Sequence, residues 1–379
     1  MPLRIPLSAP DITEAEIAAL TSVLRTPHLS LGPELAAFEA ELAAYHGVNH
    51  AVAVSSGTAG LDLSLLTLGI GEGDEVILPS FTFAAVLNAV LQVRATPVLV
   101  EVDPATLNLD PTAVERAISP RTRAILAVHT FGIPAQMDAL AALADRHRLA
   151  LIEDASEAIG ARFDGRLAGS LGDLAVLGFY PNKQITTGEG GAVLANDAAH
   201  ATRLLRLRNQ GRSTGGEWLD HVELGYNYRL SDLACALGRV QLRRIDEILT
   251  LRRQAAERYD DLLAGIPGLE LPPLSLPRRT LSWFVYVVRL PENADRDEIR
   301  AALAHRGIAS GRYFAPIHLQ PIWRNSKSGR IAGDLILTES IARRTLALPF
   351  FNRISADQQQ EVADSLRDAI AKQNQEYGG

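Results

Sequence analysis

Of the 37 basic residues in this 379-residue chain only three are lysines, Lys183, Lys327 and Lys372, so chemistry that needs a primary amine has three candidates. Lys183 stands in LGFYPNKQITTGEGGAV (177–193), after strand-like residues and a proline and before a GEGG run that turns the chain tightly into another strand. A chain that uses arginine nearly everywhere else keeps a lysine where the backbone is most constrained. An amine forms an imine with an aldehyde, which a guanidinium cannot, and partial burial lowers its pKa toward that of a nucleophile. Two further segments place polar groups at the ends of apolar runs. SSGTAG (55–60) combines glycine, which permits close backbone approach, with Ser55, Ser56 and Thr58 beside the free amides of a helix start. That combination makes an anion cradle, although an ordinary capped turn uses the same residues. LIEDASEA puts Asp154 at the carboxyl end of a strand, where a buried carboxylate needs a cationic or hydrogen-bonding partner and a helix-capping aspartate is the alternative.

The elements that must position these groups read as α/β. Short runs rich in Val, Ile and Leu, at 51–57, 75–81, 96–103, 124–130 and 150–156, alternate with alanine- and leucine-rich helical stretches. Apolar residues on both strand faces predict a mostly parallel sheet, of seven strands, covered by helices on each side. Strand-like 172–180 and 191–196 follow, then a helical stretch. In such a sheet ligands bind outside the carboxyl ends of the strands, where all three segments fall. Ahead of the sheet, Leu35, Phe38, Leu42 and Tyr45 recur at helical spacing with Gly47 as a stop. A long helical pattern runs from Ser231 to about Leu263, and the proline-rich 267–280 marks a boundary between a large domain (1–265) and a smaller α+β domain (266–379). In that second domain SWFVYVVRL reads as a strand, and DRDEIRAALAHRG, TESIARRTLAL and SADQQQEVADSLRDAI read as helices.

Hydrophobic residues at 47% and charged residues at 21% describe an ordinary globular chain. A formal charge of −7 without a basic block argues against nucleic acid as a partner. The single cysteine, Cys235, excludes an internal disulfide or a cysteine-based metal site and reads as a small core residue. The amino terminus has no signal-like apolar segment and no run approaches 18 apolar residues, so the expectation is a cytoplasmic protein that neither enters nor crosses a membrane.

A phosphate cradle, a buried carboxylate and an imine-capable lysine on successive strand ends match the needs of pyridoxal phosphate: a phosphate to anchor, a pyridine nitrogen to keep protonated and an aldehyde to tether. The chain resembles the DegT/DnrJ/EryC1/StrS sugar aminotransferases of fold type I. The resemblance runs from about Leu29 to about Asn352 and is carried by LGPELAAFEAELAAYHGVNHAVAVSSGTAGLDLSL, DEVILPSFTFAAVLNAV, VHTFGIPAQMD, IEDASEAIGA, GFYPNKQITTGEGG, GYNYRLSDLACALG and FAPIHLQP. It implies that Lys183 forms the imine with the cofactor and shuttles the proton, that Asp154 pairs with the pyridinium nitrogen, that Gly57 and Thr58 cradle the phosphate, and that Phe83 stacks on the ring. It further implies that Asn227 and Arg229 enter the partner subunit's site in a homodimer and that His318 lines the sugar pocket, although a salt-bridging Arg229 and a packed interface His318 remain open.

Two positions depart from the commonest family pattern. Glu157 stands where a glutamine usually contacts the cofactor's 3-oxygen, and Gly178 where a serine often binds phosphate. The glutamate resembles the variant of perosamine synthase-like members, which aminate 4-keto-6-deoxy sugars. The resemblance therefore implies transfer of an amino group from an amino acid, L-glutamate, to a keto group of a nucleotide-activated sugar, with no metal. The alternatives are a 3-keto sugar or cyclitol as acceptor, a pyridoxamine-dependent sugar dehydratase, against which Lys183 argues because those relatives carry histidine there, and a non-catalytic regulatory homologue.

Overall fold

The structure, a computed structural model, describes residues 3–215, 217, 219–326 and 328–377, so Lys327 lies outside the described residues. The apolar runs form β1 (His50–Val54), β2 (Glu75–Pro79), β3 (Thr96–Val100), β4 (Thr122–Val128) and β5 (Ala150–Asp154), joined later in the chain by strands Leu174–Gly178 and Gly191–Ala195. The order across the sheet is β1, Gly191–Ala195, Leu174–Gly178, β5, β4, β2, β3 and a two-residue eighth strand, Arg330–Ile331. Only Gly191–Ala195 runs antiparallel to its neighbours; the rest pair in parallel, as strands with two buried faces do. The register aligns Val128, Asp154 and Val176, so the ends of three adjacent strands share one edge.

The eighth strand was not evident in the sequence. Arg330 reaches across from the C-terminal region to donate to the buried Glu75 at 2.8 Å, and Ala332 N–H bonds Leu99 O at 2.9 Å. Those long-range contacts have no local signature.

Helices cover both faces. α1 (Glu14–Leu24) opens with a capping box, Thr13 with Glu16. α2 (Pro33–His46) ends at Gly47, whose φ of 66° is a left-handed stop; His46 takes the buried place expected for Tyr45, which is partly exposed. The helical pattern from Ser231 onward is two helices, Asp232–Arg243 and Ile245–Leu263. Arg244 stands at the break, held by Glu16 at 2.7 Å and Asp11 at 3.0 Å.

Beyond the proline-rich stretch, strand Tyr286–Arg289 pairs antiparallel with Thr345–Leu348. The helix expected over 338–348 covers Ile336–Arg344 and stops; the LAL that reads as helix is strand, because pairing with Tyr286–Arg289 outweighs local propensity. A second core gathers Tyr286, Val288, Leu303, Leu346 and Leu366 with Tyr259 and Leu263 of helix Ile245–Leu263 and with Ile5. Cys235 is buried.

Candidate active site

The shared edge of the strands opens onto a cavity of about 580 Å³. Eight residues singled out in the sequence line it: Ser56, Gly57, Thr58, Phe83, Asp154, Glu157, Gly178 and Lys183. A larger surface groove of about 810 Å³, between Arg4, Arg306 and the C-terminal helix, is far in sequence from these residues; there Arg4 pairs with Glu361 and Arg306 with Asp368.

One wall is the start of α3 (Gly57–Thr67). Ser56 caps it, its hydroxyl accepting the Ala59 N–H at 3.0 Å. The amides of Gly57 and Thr58, in the first turn, have no protein acceptor among the described residues, which is the ordinary condition of a helix start and what makes it attract anions. The glycines keep the wall open. A Cβ on Gly57 would lie 3.3 Å from Ser156 Oγ, and one on Gly178 would lie 3.1 Å from Ser156 Cβ. Ser156 thus supplies a hydroxyl beside the place where the family often has a serine at 178.

The facing wall is the end of β5. Asp154 is 8% exposed and accepts the Ser156 N–H at 3.1 Å, while its carbonyl accepts the His129 N–H at 3.0 Å. Behind it His129 and Glu153 are wholly buried. His129 Nδ1 accepts the Ala135 N–H at 3.0 Å, which places the ring proton on Nε2, where it is donated to Glu153 at 2.9 Å. Glu153 also accepts the amides of Gly169, Leu171 and Gly172. The pair clamps β4 and β5 together under the site.

Glu157 and Lys183 meet in the centre. Lys183 Nζ lies 3.4 Å from Glu157 Oε1 and 4.0 Å from the centroid of the Phe284 ring. The other carboxylate oxygen accepts the Phe131 N–H at 3.0 Å, presented by a left-handed backbone at Phe131, φ 59°. Burial pushes the Glu157 carboxyl above the usual carboxylate range, against the opposing pull of the Lys183 ammonium. Gln184 fixes the lysine's neighbourhood by donating to Glu157 O at 2.6 Å and Ser282 Oγ at 3.0 Å.

Three expected residues lie elsewhere. Arg229 donates to Asn209 Oδ1 at 2.8 Å and Gln210 Oε1 at 3.1 Å, Asn227 bridges Asn209 through its backbone, and neither lines the cavity of its own chain. His318 is held by Ser80 Oγ at 2.6 Å and Glu339 at 3.2 Å, also outside the lining. The structure adds lining residues that sequence reasoning missed: Ser156, Asn182, Phe284, Arg312 and Tyr313. Asn182, one residue before the lysine, could have been noticed; Phe284, Arg312 and Tyr313 come from the second domain and carry no local mark.

The cavity fits pyridoxal phosphate on its own terms: unfilled helix-start amides for a phosphate, glycines where a Cβ would intrude, a strand-end carboxylate, an amine, and a buried Asn182 Oδ1 without a partner among the described residues. Among the described residues there is no cluster of His, Cys, Asp or Glu that could hold a metal ion, and no helix is long and apolar enough to cross a membrane.

Comparison with known proteins agrees with that geometry. The profile of the DegT/DnrJ/EryC1/StrS aminotransferase family matches residues 10–367. The dTDP-3-amino-3,4,6-trideoxy-α-D-glucose transaminase of Streptomyces venezuelae is 43% identical over 93% of this chain and 91% of its own. The GDP-perosamine synthase of Caulobacter vibrioides is 39% identical over 91% of this chain and 93% of its own. Spr1654 of Streptococcus pneumoniae, described as a sugar aminotransferase and solved in a pyridoxamine phosphate form, superposes with a TM-score of 0.93 at 27% identity, covering 99% of this chain and 100% of that one. The fold and site define a pyridoxal phosphate-dependent aminotransferase of fold type I. The chain belongs to the DegT/DnrJ/EryC1/StrS family.

Proposed function

We propose that this aminotransferase moves an amino group from L-glutamate to the keto group of a nucleotide-activated 4-keto-6-deoxy sugar. The observation that carries the reading is the single cavity in which the Lys183 amine stands among a strand-end carboxylate, a buried acid and open helix amides. Pyridoxal phosphate, when bound, supplies an electron sink that acidifies the bond to hydrogen beside the transferred nitrogen.

The chain's own groups do the rest. Lys183 would tether the cofactor by Nζ and would hold a migrating proton at that atom. Asp154 would keep the pyridine nitrogen protonated by placing a negative charge beside it. Gly57, Thr58 and Gly178 would hold the phosphate through backbone amides, with the Thr58 hydroxyl and Ser156 in the same cavity wall. Phe83, 65% exposed at the mouth, would cover the ring face and exclude water. Glu157 would face the ring's 3-oxygen, and His318, hydrogen-bonded to Ser80, would border the sugar pocket.

Asn227 and Arg229 lie away from their own chain's cavity, which supports a homodimer in which they complete the partner's site. A cytoplasmic location and a division into 1–265 and 266–379 belong to the same reading. The 4-keto acceptor is supported by Glu157 and by the resemblance to GDP-perosamine synthase. A second reading, a 3-keto acceptor, is favoured by the relative named for a 3-amino sugar. Incubating the enzyme with glutamate, pyridoxal phosphate and a panel of nucleotide 3-keto and 4-keto sugars, and locating the new nitrogen by mass spectrometry, separates the two. No aminated sugar from any member of the panel would refute both.

A further inference from the structure

Apart from Lys183, Arg312 is the one cation among the described residues lining the cavity, and it comes from the second domain rather than from the sheet. Its side chain is half exposed at the rim and forks onto Asp297, one arm at 3.0 Å, in the first turn of the helix Arg296–His305. The same carboxylate lies 3.6 Å from Arg300. Arg296 turns away to the Ala342 and Thr345 carbonyls, and Asp295 is occupied capping the helix. A single carboxylate therefore serves two arginines. Exposed ion pairs of this kind contribute little to stability and exchange readily for another anion. The guanidinium fork matches a carboxylate or a phosphate through two parallel N–H bonds. The acidic residues of the lining are Asp154, Glu157 and the exposed Glu189, so apart from the helix start and Lys183, which the cofactor would engage, the rim guanidinium is the charged group that favours an anionic substrate.

We propose that Arg312 recognises the anionic group of an incoming substrate, exchanging Asp297 for a substrate carboxylate or phosphate at the cavity mouth. This rests on the aminotransferase reading above, whose amino donor carries carboxylates and whose sugar carries a diphosphate. Arg312 is a binding residue and takes no part in proton transfer.

The test uses the holoenzyme and the variants Arg312→Gln, Arg312→Lys and Asp297→Asn, with L-glutamate and dTDP as probes. The apparent Kd for glutamate is read from the concentration dependence of its half-reaction in visible absorbance, and the Kd for dTDP by calorimetry. Arg312→Gln should weaken one of the two by about 10- to 100-fold, the loss of a charge-assisted fork, and which probe is affected assigns the carboxylate or the phosphate. Arg312→Lys, with charge but no fork, should fall between, and Asp297→Asn, which frees the guanidinium, should tighten the same probe. Kd values for both probes within twofold of native in Arg312→Gln would overturn the proposal, as would equal weakening by Asp297→Asn, which would make the pair a structural latch. Absence of any half-reaction in the native protein would instead refute the aminotransferase reading.

Discussion

Lys183 Nζ stands 3.4 Å from Glu157 Oε1, inside a cage in which Phe284 lies 4.0 Å from the same amine. An acid buried beside an amine, with its other oxygen held by the Phe131 N–H, can hold a proton or an ion pair. The balance between the two decides how the site titrates.

Glu157 binds its proton more tightly in the folded chain than the ordinary carboxylate value of 4.5, because burial disfavours the anion. The sign follows: a raised folded pKa contributes stability that is complete below pH 4.5 and is lost as pH rises through the folded value. Glu157→Gln cannot ionise. The melting temperature of the cofactor-free variant should therefore gain on that of the native protein as pH rises from about 4.5, then level off. A difference independent of pH between 4.5 and 8 would show that the carboxyl is not perturbed.

Asp154→Asn keeps the shape and removes the charge beside the pyridine nitrogen. Turnover should fall by about 100-fold or more, roughly 2.7 kcal/mol of barrier, while the apparent affinity for glutamate changes little, the pattern of an interaction made mainly in the transition state. Steady-state kinetics with glutamate check this. Equal losses in affinity and turnover would point to a positioning role instead.

If Arg229 acts in the partner's site, an inactive Lys183→Ala chain and an inactive Arg229→Ala chain should restore each other. After subunit exchange at equal amounts about a quarter of all sites are intact, since half the dimers are mixed and each mixed dimer has one complete site. Activity near a quarter of native supports sharing. No recovery after exchange has been demonstrated by mass would contradict it.

The strands were legible because their residues are apolar on both faces and are bounded by glycine, proline and charged residues, and the strand ends led directly to Asp154 and Lys183. Gly57 and Thr58 were legible for the same reason, as a turn between a strand and a helix. Arg312, Tyr313 and Phe284 were not, because they reach the cavity only after about 100 further residues have folded back onto the sheet, and nothing in their neighbours announces a site. Thr345–Leu348 misled as helix because its partner strand lies some 60 residues earlier, and pairing energy is invisible in a local window. His318 is a different case. Its motif points to a pocket, yet the packing of this chain gives its ring to Ser80 and Glu339.

The central claim is that Lys183, and no other lysine, carries the cofactor. Reducing the holoenzyme with borohydride fixes the cofactor to whichever amine holds it, and digestion followed by peptide mass spectrometry locates the added mass. The account predicts the whole of it on the peptide containing Lys183, and no visible absorbance or turnover in Lys183→Arg, which keeps the charge without a primary amine. Label on Lys327 or Lys372, or a Lys183→Arg enzyme that still turns over, would contradict it.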